Sequence, residues 1–380
     1  MKTVLPNAWT GTAIPYSPTT QERAPLRLAI LSHLEFPVGE PYAGGLEMQT
    51  HILAKKLQSR GHEVDVYATA GSDATLNVIE PSTVRGVGPS DPDLQVGEYE
   101  TIINRQRYLE VLFRIGAGEY DIVQNNSQDA LPIALAHTLS APLVNTLHVL
   151  PFPHLRAAAL AARKHNGLHW VAISRHAARD WQPYISSSEI IYNGIDTDFW
   201  KYGRDQPSDY VIWAGRMCKE KAPHLAIEAA RRAGVKILLA GQMSVPEYFE
   251  EQVRPLLNDQ AIYLGALEQR ELVEYIGKAR AYLFTSVWEE PFGLVVAEAM
   301  ACGTPIVAFR SGAMPELITP EVGTIVPKGD VPAMSAAIPQ LFRLSRKACR
   351  ERAVRCFGID RMIDEYENYY YALAKQPHYL

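Results

Sequence analysis

Short apolar runs separated by helical patterns recur along this chain, and that alternation limits its fold more than any other feature. Leu26 to Leu31 reads as a buried strand, and after a Pro/Gly-rich loop Leu46 to Arg60 places Leu46, Leu53 and Leu57 on one helical face. Gly61 follows where a helix needs a left-handed cap, and Glu63 to Ala68 returns as a second strand, closing a βαβ unit. The pattern repeats at Ile122 to Gln124, Leu143 to Thr146, Trp170 to Ser174, Val211 to Ala214, Lys236 to Ala240, Ala281 to Thr285 and Pro305 to Phe309. Strands joined by helices imply α/β architecture with parallel, doubly wound sheets. The strands fall into two clusters, and 380 residues is enough for two such domains of roughly 100–200 residues each.

The polar, irregular stretch from Ile190 to Asp205 is the expected join. It divides the chain into a first domain over 1–195 and a second over 196–358. Residues 1–24, with their Pro, Thr and Ser content, read as an irregular extension. Ile359 to Ala374 has a tyrosine-rich helical pattern with no strand after it, so the segment 359–380 is expected to pack back onto the first domain.

Composition narrows the function. A formal charge of -5 disfavours nucleic acid as the main partner but leaves room for a local basic pocket around one diphosphate. Cys218, Cys302, Cys349 and Cys356 include no CxxC pair, so they read as reduced thiols, neither a zinc site nor a disulfide framework. With no signal-like or membrane-spanning apolar run, the expected location is cytoplasmic. The basic-biased stretch containing Arg156, Arg163, Lys164, Arg175 and Arg179 adds a peripheral contact with the inner face of a membrane as an expectation.

The richest chemistry lies between Glu290 and Pro305. A strand ends near Thr285, a loop carries Glu290, Pro291, Phe292 and Gly293, and a helix starts near Leu294. Strand, glycine-containing loop and helix N-terminus together make an anion site for phosphate oxygens. Glu298, in the first turns of that helix, can accept hydrogen bonds from the two vicinal hydroxyls of a ribose. After the first strand of the second cluster comes Gly215-Arg-Met-Cys-Lys-Glu-Lys221. There Arg216 can grip phosphate oxygens in a fork and Lys221 adds a compact second charge.

The run Glu290-Pro-Phe-Gly-Leu-Val-Val-Ala-Glu298, followed by Ala299 to Pro305, resembles the E-x7-E signature of glycosyltransferase family 4. Tyr42-Ala-Gly-Gly-Leu-Glu47, Asn145-Thr-Leu-His148, Ile191-Tyr-Asn-Gly-Ile-Asp196 and the Arg216/Lys221 element match further segments of that family in order. The resemblance implies the GT-B architecture of two Rossmann-like domains facing across a cleft. It also implies a retaining, hexosyl-type transferase using a nucleotide-sugar donor, UDP first and GDP second. By the same resemblance, Gly44 and Gly45 close over the diphosphate and His148 sits by the donor sugar. Phe292, Gly293, Leu294 and Glu298 complete the donor site, while Glu290 binds a sugar hydroxyl such as the 3-OH. The catalytic set is His148, Arg216, Lys221 and Glu290, acting on a hydroxyl of a sugar, lipid-linked or small-molecule acceptor.

No cofactor or metal is expected, since the basic pair supplies the charge a divalent ion would bring, and Asp196-Thr-Asp198 reads as a chance DxD. No GxGxxG opens the first helix and no GxxxxGK[ST] occurs, which argues against a dinucleotide dehydrogenase and a P-loop enzyme. Four segments depart from the family pattern: Val149 after the histidine, Ala222 after the lysine, Gly312-Ala-Met-Pro-Glu316 with one glycine in place of two, and Gln124-Asn125-Asn126 in place of a histidine-containing run. The competing readings are a nucleotide-sugar epimerase, a phosphorylase-like enzyme with pyridoxal phosphate, and a non-catalytic sugar-nucleotide-binding module.

Overall fold

The computed structural model describes residues 23–82, 98–203 and 206–375. All but the last two residues of the expected extension 1–24 lie outside them, as does the end of the 359–380 segment, residues 376–380. The first sheet contains β1 (Arg27–Leu31), β2 (Glu63–Tyr67), β3 (Asn77–Ile79), β4 (Ile122–Asn125), β5 (Leu143–Leu147), β6 (Leu168–Ala172) and β7 (Glu189–Ile190). Its order is β3-β2-β1-β4-β5-β6-β7. The second contains β8 (Val211–Ala214), β9 (Ile237–Ala240), β10 (Ala261–Tyr263), β11 (Tyr282–Phe284), β12 (Ile306–Phe309) and β13 (Gly323–Val326), ordered β10-β9-β8-β11-β12-β13. Every pairing between these strands is parallel.

Strand order reverses between β1 and β4 in the first sheet and between β8 and β11 in the second. In open α/β sheets the crevice beyond the carboxyl ends of strands at such reversals is where ligands bind. The loops leaving β1, β4, β8 and β11 are therefore the places to look for chemistry.

The central strands are buried throughout, as in β4, β5, β8, β9 and β12. The four strands with no counterpart in the sequence reading, β3, β7, β10 and β13, are the four sheet edges. Trp170 to Ser174 is corrected to Leu168–Ala172. Ser174 instead caps the Arg175–Trp181 helix, its hydroxyl accepting from Ala177 N at 2.9 Å. The first helix runs Gly45–Ser59 and buries Leu53 and Leu57, whereas Leu46 lines the cleft and is only half-buried. Gly61 takes φ 90°, the left-handed geometry that stops that helix.

The Ile359–Ala374 helix lies against the first sheet. Ile359, Met362, Ile363, Tyr366, Tyr370 and Leu373 share a core with Leu28, Ile30, Val66 and Val144. The chain crosses back to it beside Ile195, whose N–H donates to Phe357 O at 2.8 Å and whose carbonyl accepts from Ile359 N at 3.1 Å. Arg60, the C-cap of the first helix, pairs with Asp364 and Glu367 of the terminal helix. All four cysteines are free thiols.

Candidate active site in the cleft between the two sheets

The loops at the two order reversals, together with the one after β5, enclose a cavity of about 620 Å³. Gly44, Gly45 and His148 line it from the first sheet; Arg216, Lys221, Glu290, Phe292, Gly293, Leu294 and Glu298 line it from the second. All ten residues singled out from sequence thus surround one space. Their chemical settings differ sharply.

On the second wall, β8 ends at Ala214 and the chain turns through Arg216, which is exposed and makes no hydrogen bond or ion pair among the described residues. The turn continues to Lys221, whose backbone is fastened by Thr285: its Oγ1 lies 2.9 Å from Lys221 O and 3.0 Å from Ala222 O. Lys221 Nζ donates to Glu290 Oε2 at 2.5 Å, with Ser286 Oγ donating to the same oxygen at 3.3 Å. The sequence assigns these two side chains separate partners, whereas the fold pairs them with each other. A partly buried lysine and glutamate held together stay oriented.

The Glu290 loop is built from beneath. Gly312 has φ 51°, and a Cβ there would lie 2.0 Å from Glu290 O, so no side chain fits. Ala313 N donates to Glu290 O at 2.9 Å, and Gly312 N to the Glu289 carboxylate at 2.7 Å. Ala313 itself sits at φ -77°, which explains why this second position tolerates a side chain. Glu289 is held by Gly312 and Lys328, leaving Glu290 as the glutamate that reaches the cavity. The Phe292 ring is only 2% exposed and packs on Tyr192 and Phe357, at centroid distances of 6.2 and 5.8 Å; it anchors the loop more than it faces the cavity.

Gly293 caps the Leu294–Ala301 helix in left-handed geometry, and Leu294 and Val295 line the cavity at its first turn. Glu298, one turn further, is buried at 7% exposure, and among the described residues no group hydrogen-bonds its carboxyl. Burial alone pushes its pKa up to about 8. A buried acid without a protein partner on a cavity wall is a site for a ligand's donors.

The first wall carries no such charge. A Cβ on Gly45 would meet Leu294 Cδ1 at 2.8 Å, so the glycine pair lets the first helix approach the facing domain. His148 follows β5, and burial lowers its pKa to about 4, keeping the imidazole neutral. Its Nε2 lies 3.2 Å from Asn126 Oδ1. That oxygen only accepts, so Nε2 carries the proton and Nδ1 keeps the lone pair. Asn126 is fixed in turn: Gln124 Nε2 donates to Asn126 Oδ1 at 2.7 Å, Asn126 Nδ2 donates to Thr50 at 3.1 Å, and Tyr370 OH donates to Gln124 Oε1 at 2.8 Å. The Gln124-Asn125-Asn126 departure is thus a buried amide network reaching from the terminal helix to His148. Val149 needs no glycine, since its backbone is outside the left-handed region and its carbonyl accepts from Trp181 Nε1 at 2.8 Å.

Several cleft residues escaped the sequence reading. Asn193 is buried, lines the cavity and has no hydrogen-bond partner among the described residues; its signal was the Asn-Gly run. Ser174 Oγ donates across the cleft to Pro291 O at 2.6 Å. Glu316 accepts from Arg175 N at 2.8 Å, His176 N at 2.7 Å and Tyr192 OH at 3.0 Å, which ties the two walls together. Asp196 of the DxD spends Oδ1 on the N–H groups of Asp198 and Phe199, at 2.9 and 3.0 Å, as a local turn.

Comparison with known proteins agrees with this architecture. A model described as Glycosyltransferase Family 4 matches residues 43–199, and one described as Glycosyl transferases group 1 matches residues 194–355. The chain is 27% identical to a glycogen synthase of Mycobacterium tuberculosis, covering 83% of this chain and 87% of the relative. It is 26% identical to a D-inositol 3-phosphate glycosyltransferase of Mycolicibacterium smegmatis, with 82% of each covered. Among solved structures, sucrose-phosphate synthase from Thermosynechococcus elongatus superposes with TM-score 0.74 at 20% identity, over 92% of this chain and 99% of that one. Anabaena HepE in complex with UDP-glucose gives 0.71 at 20% identity, over 92% and 100%.

Proposed function

Because the chain belongs to the family-4 glycosyltransferases, its two halves matched by the two models of that group, we propose that its cleft transfers a hexosyl unit from a nucleotide diphosphate sugar to an acceptor hydroxyl with retention of configuration. The observation that carries this reading is the pairing, around one cavity, of a free guanidinium and a lysine with a buried, unpartnered carboxyl. Glu298 accepts the ribose hydroxyls, and Arg216 and Lys221 hold the diphosphate as it leaves. Arrival of the diphosphate draws Lys221 toward the phosphates and frees Glu290 for a sugar hydroxyl. Gly44 and Gly45 close over the donor, with Phe292, Gly293 and Leu294 framing it, and His148 Nδ1 accepts from a sugar hydroxyl. UDP is the first nucleotide to test, since solved neighbours were crystallised with UDP and UDP-glucose.

Among the described residues no side chain stands out as a covalent nucleophile, so attack comes from the face the phosphate leaves, with a phosphate oxygen taking the acceptor's proton. Arg216 and Lys221 supply the positive charge, so the reaction is read as metal-independent; inactivation by EDTA reversed by Mg²⁺ or Mn²⁺ overturns that part. A thermal-shift panel of UDP, GDP, ADP and TDP sugars identifies the donor, because ligand binding raises the melting temperature by mass action. NMR of the sugar first released by slow donor hydrolysis then tests stereochemistry. The donor's own anomer is expected, and the opposite anomer ends the retaining assignment.

A further inference from the structure

From Ala130 to Arg179 the sequence contains no Asp or Glu, in a chain that has 42 of them and a net charge of -5. Within that stretch the Pro153–Ala162 helix buries Leu155, Ala158 and Ala159 and turns its other side outward. Phe152 at its cap, Arg156, Leu160 and Arg163 are spaced to fall along one face of that helix, with Lys164 beside them. Arg156, Arg163 and Lys164 are exposed, and none of their side chains forms an ion pair or hydrogen bond among the described residues. Phe152 and Leu160 are exposed too, at 39% and 48%, among the few large apolar side chains that are. Arg175, by contrast, begins the short helix whose backbone is held by Glu316 at the domain contact, so the basic stretch divides in two.

We propose that this helix face docks on an anionic lipid bilayer. Unpaired cations alone suit any polyanion. Phenylalanine and leucine interleaved with arginine on one face suit a surface with acyl chains beneath its phosphates, where nucleic acid offers the apolar side chains nothing. Phe152 also lines the cavity, so the docked face adjoins the cleft and opens it toward the bilayer. That placement favours a lipid-linked acceptor, a corollary that rests on the glycosyltransferase reading, whereas the docking itself does not.

Co-sedimentation with vesicles of phosphatidylcholine, with and without 30 mol% phosphatidylglycerol, tests it. The protein is expected to sediment with the anionic vesicles and not with phosphatidylcholine alone. Each neutralised cation should weaken binding on the order of 5-fold, so Arg156→Gln/Arg163→Gln/Lys164→Gln should lose about 100-fold. Leu160→Ser should weaken it with the charges intact. None of these four residues lines the cavity, so each variant should keep the wild-type melting temperature and any shift given by UDP. Absence of vesicle binding by the wild type overturns the proposal, as does unchanged binding of the triple variant. Retention on RNA or heparin without vesicle binding also overturns it. Vesicle binding by a protein that no nucleotide sugar stabilises leaves the docking intact and overturns the donor reading instead.

Discussion

The two walls of the cleft are built on the same plan, a loop leaving a parallel strand beside a reversal of strand order, yet they have opposite electrostatics. The second wall concentrates charge: a free Arg216, the Lys221–Glu290 pair and the buried Glu298. The first wall is neutral: two glycines, an imidazole held uncharged, and amides bonded to amides. Preorganised charge is what binds a diphosphate and stabilises its departure. A neutral, rigid network is what orients sugar hydroxyls without competing for that charge. The division of labour is therefore electrostatic and not topological.

The largest test removes charge from the second wall. Lys221→Ala takes away one cation and leaves Glu290 without its cationic partner. It should lower kcat/KM by roughly 10²–10³-fold, the usual cost of losing one preorganised group at a site of developing charge. Steady-state kinetics with the donor found in the thermal-shift panel checks it.

Glu298 gives a smaller and pH-dependent effect. Its folded pKa is raised from 4.5 to about 8, so between those values the native protein binds a proton that the unfolded chain has released. Its contribution to stability is present below pH 4.5 and is lost as pH rises through about 8. Melting temperature of the protein without nucleotide should fall between about pH 5 and 8 and level off above that, and Glu298→Gln should flatten that fall. Above pH 8, where the carboxyl is ionised, the same variant should weaken nucleotide binding by roughly 10–100-fold, through loss of hydrogen bonds to a charged acceptor. A variant with an unchanged pH profile would contradict the buried-acid account.

On the first wall, Asn126→Asp places a carboxylate against His148 Nε2. That raises the histidine pKa from about 4 by roughly 1–3 pH units, because the adjacent negative charge favours the imidazolium. The acid limb of kcat/KM should move toward neutrality, with activity at pH 8 close to that of the wild type. A pH profile that does not move separates mere packing from orientation of the imidazole.

Most of this was legible in the sequence, and the rest was hidden for physical reasons. Buried central strands advertise themselves by continuous apolar runs. The edges β3, β7, β10 and β13 do not, because a strand paired on one side and partly exposed needs no such run. Residues with charge or glycine announced the second wall. The Asn126 and Gln124 network and the Glu316 clamp depend on contacts between segments far apart in the chain, which no local pattern encodes. Ala222 shows the reverse case. Its place after Lys221, where glycine often stands, corresponds to a left-handed backbone at φ 49°. Ala222→Gly should be the mildest change of all, stabilising by at most about 1 kcal/mol as relieved strain offsets glycine's entropy. Denaturant unfolding measures it.

One titration decides between the walls most directly: calorimetric binding of UDP to the wild type, Arg216→Ala and Asn126→Asp at pH 8. If charge on the second wall holds the nucleotide, Arg216→Ala binds at least 10-fold more weakly while Asn126→Asp matches the wild type. Equal affinity of Arg216→Ala and wild type, or loss confined to Asn126→Asp, would contradict the account.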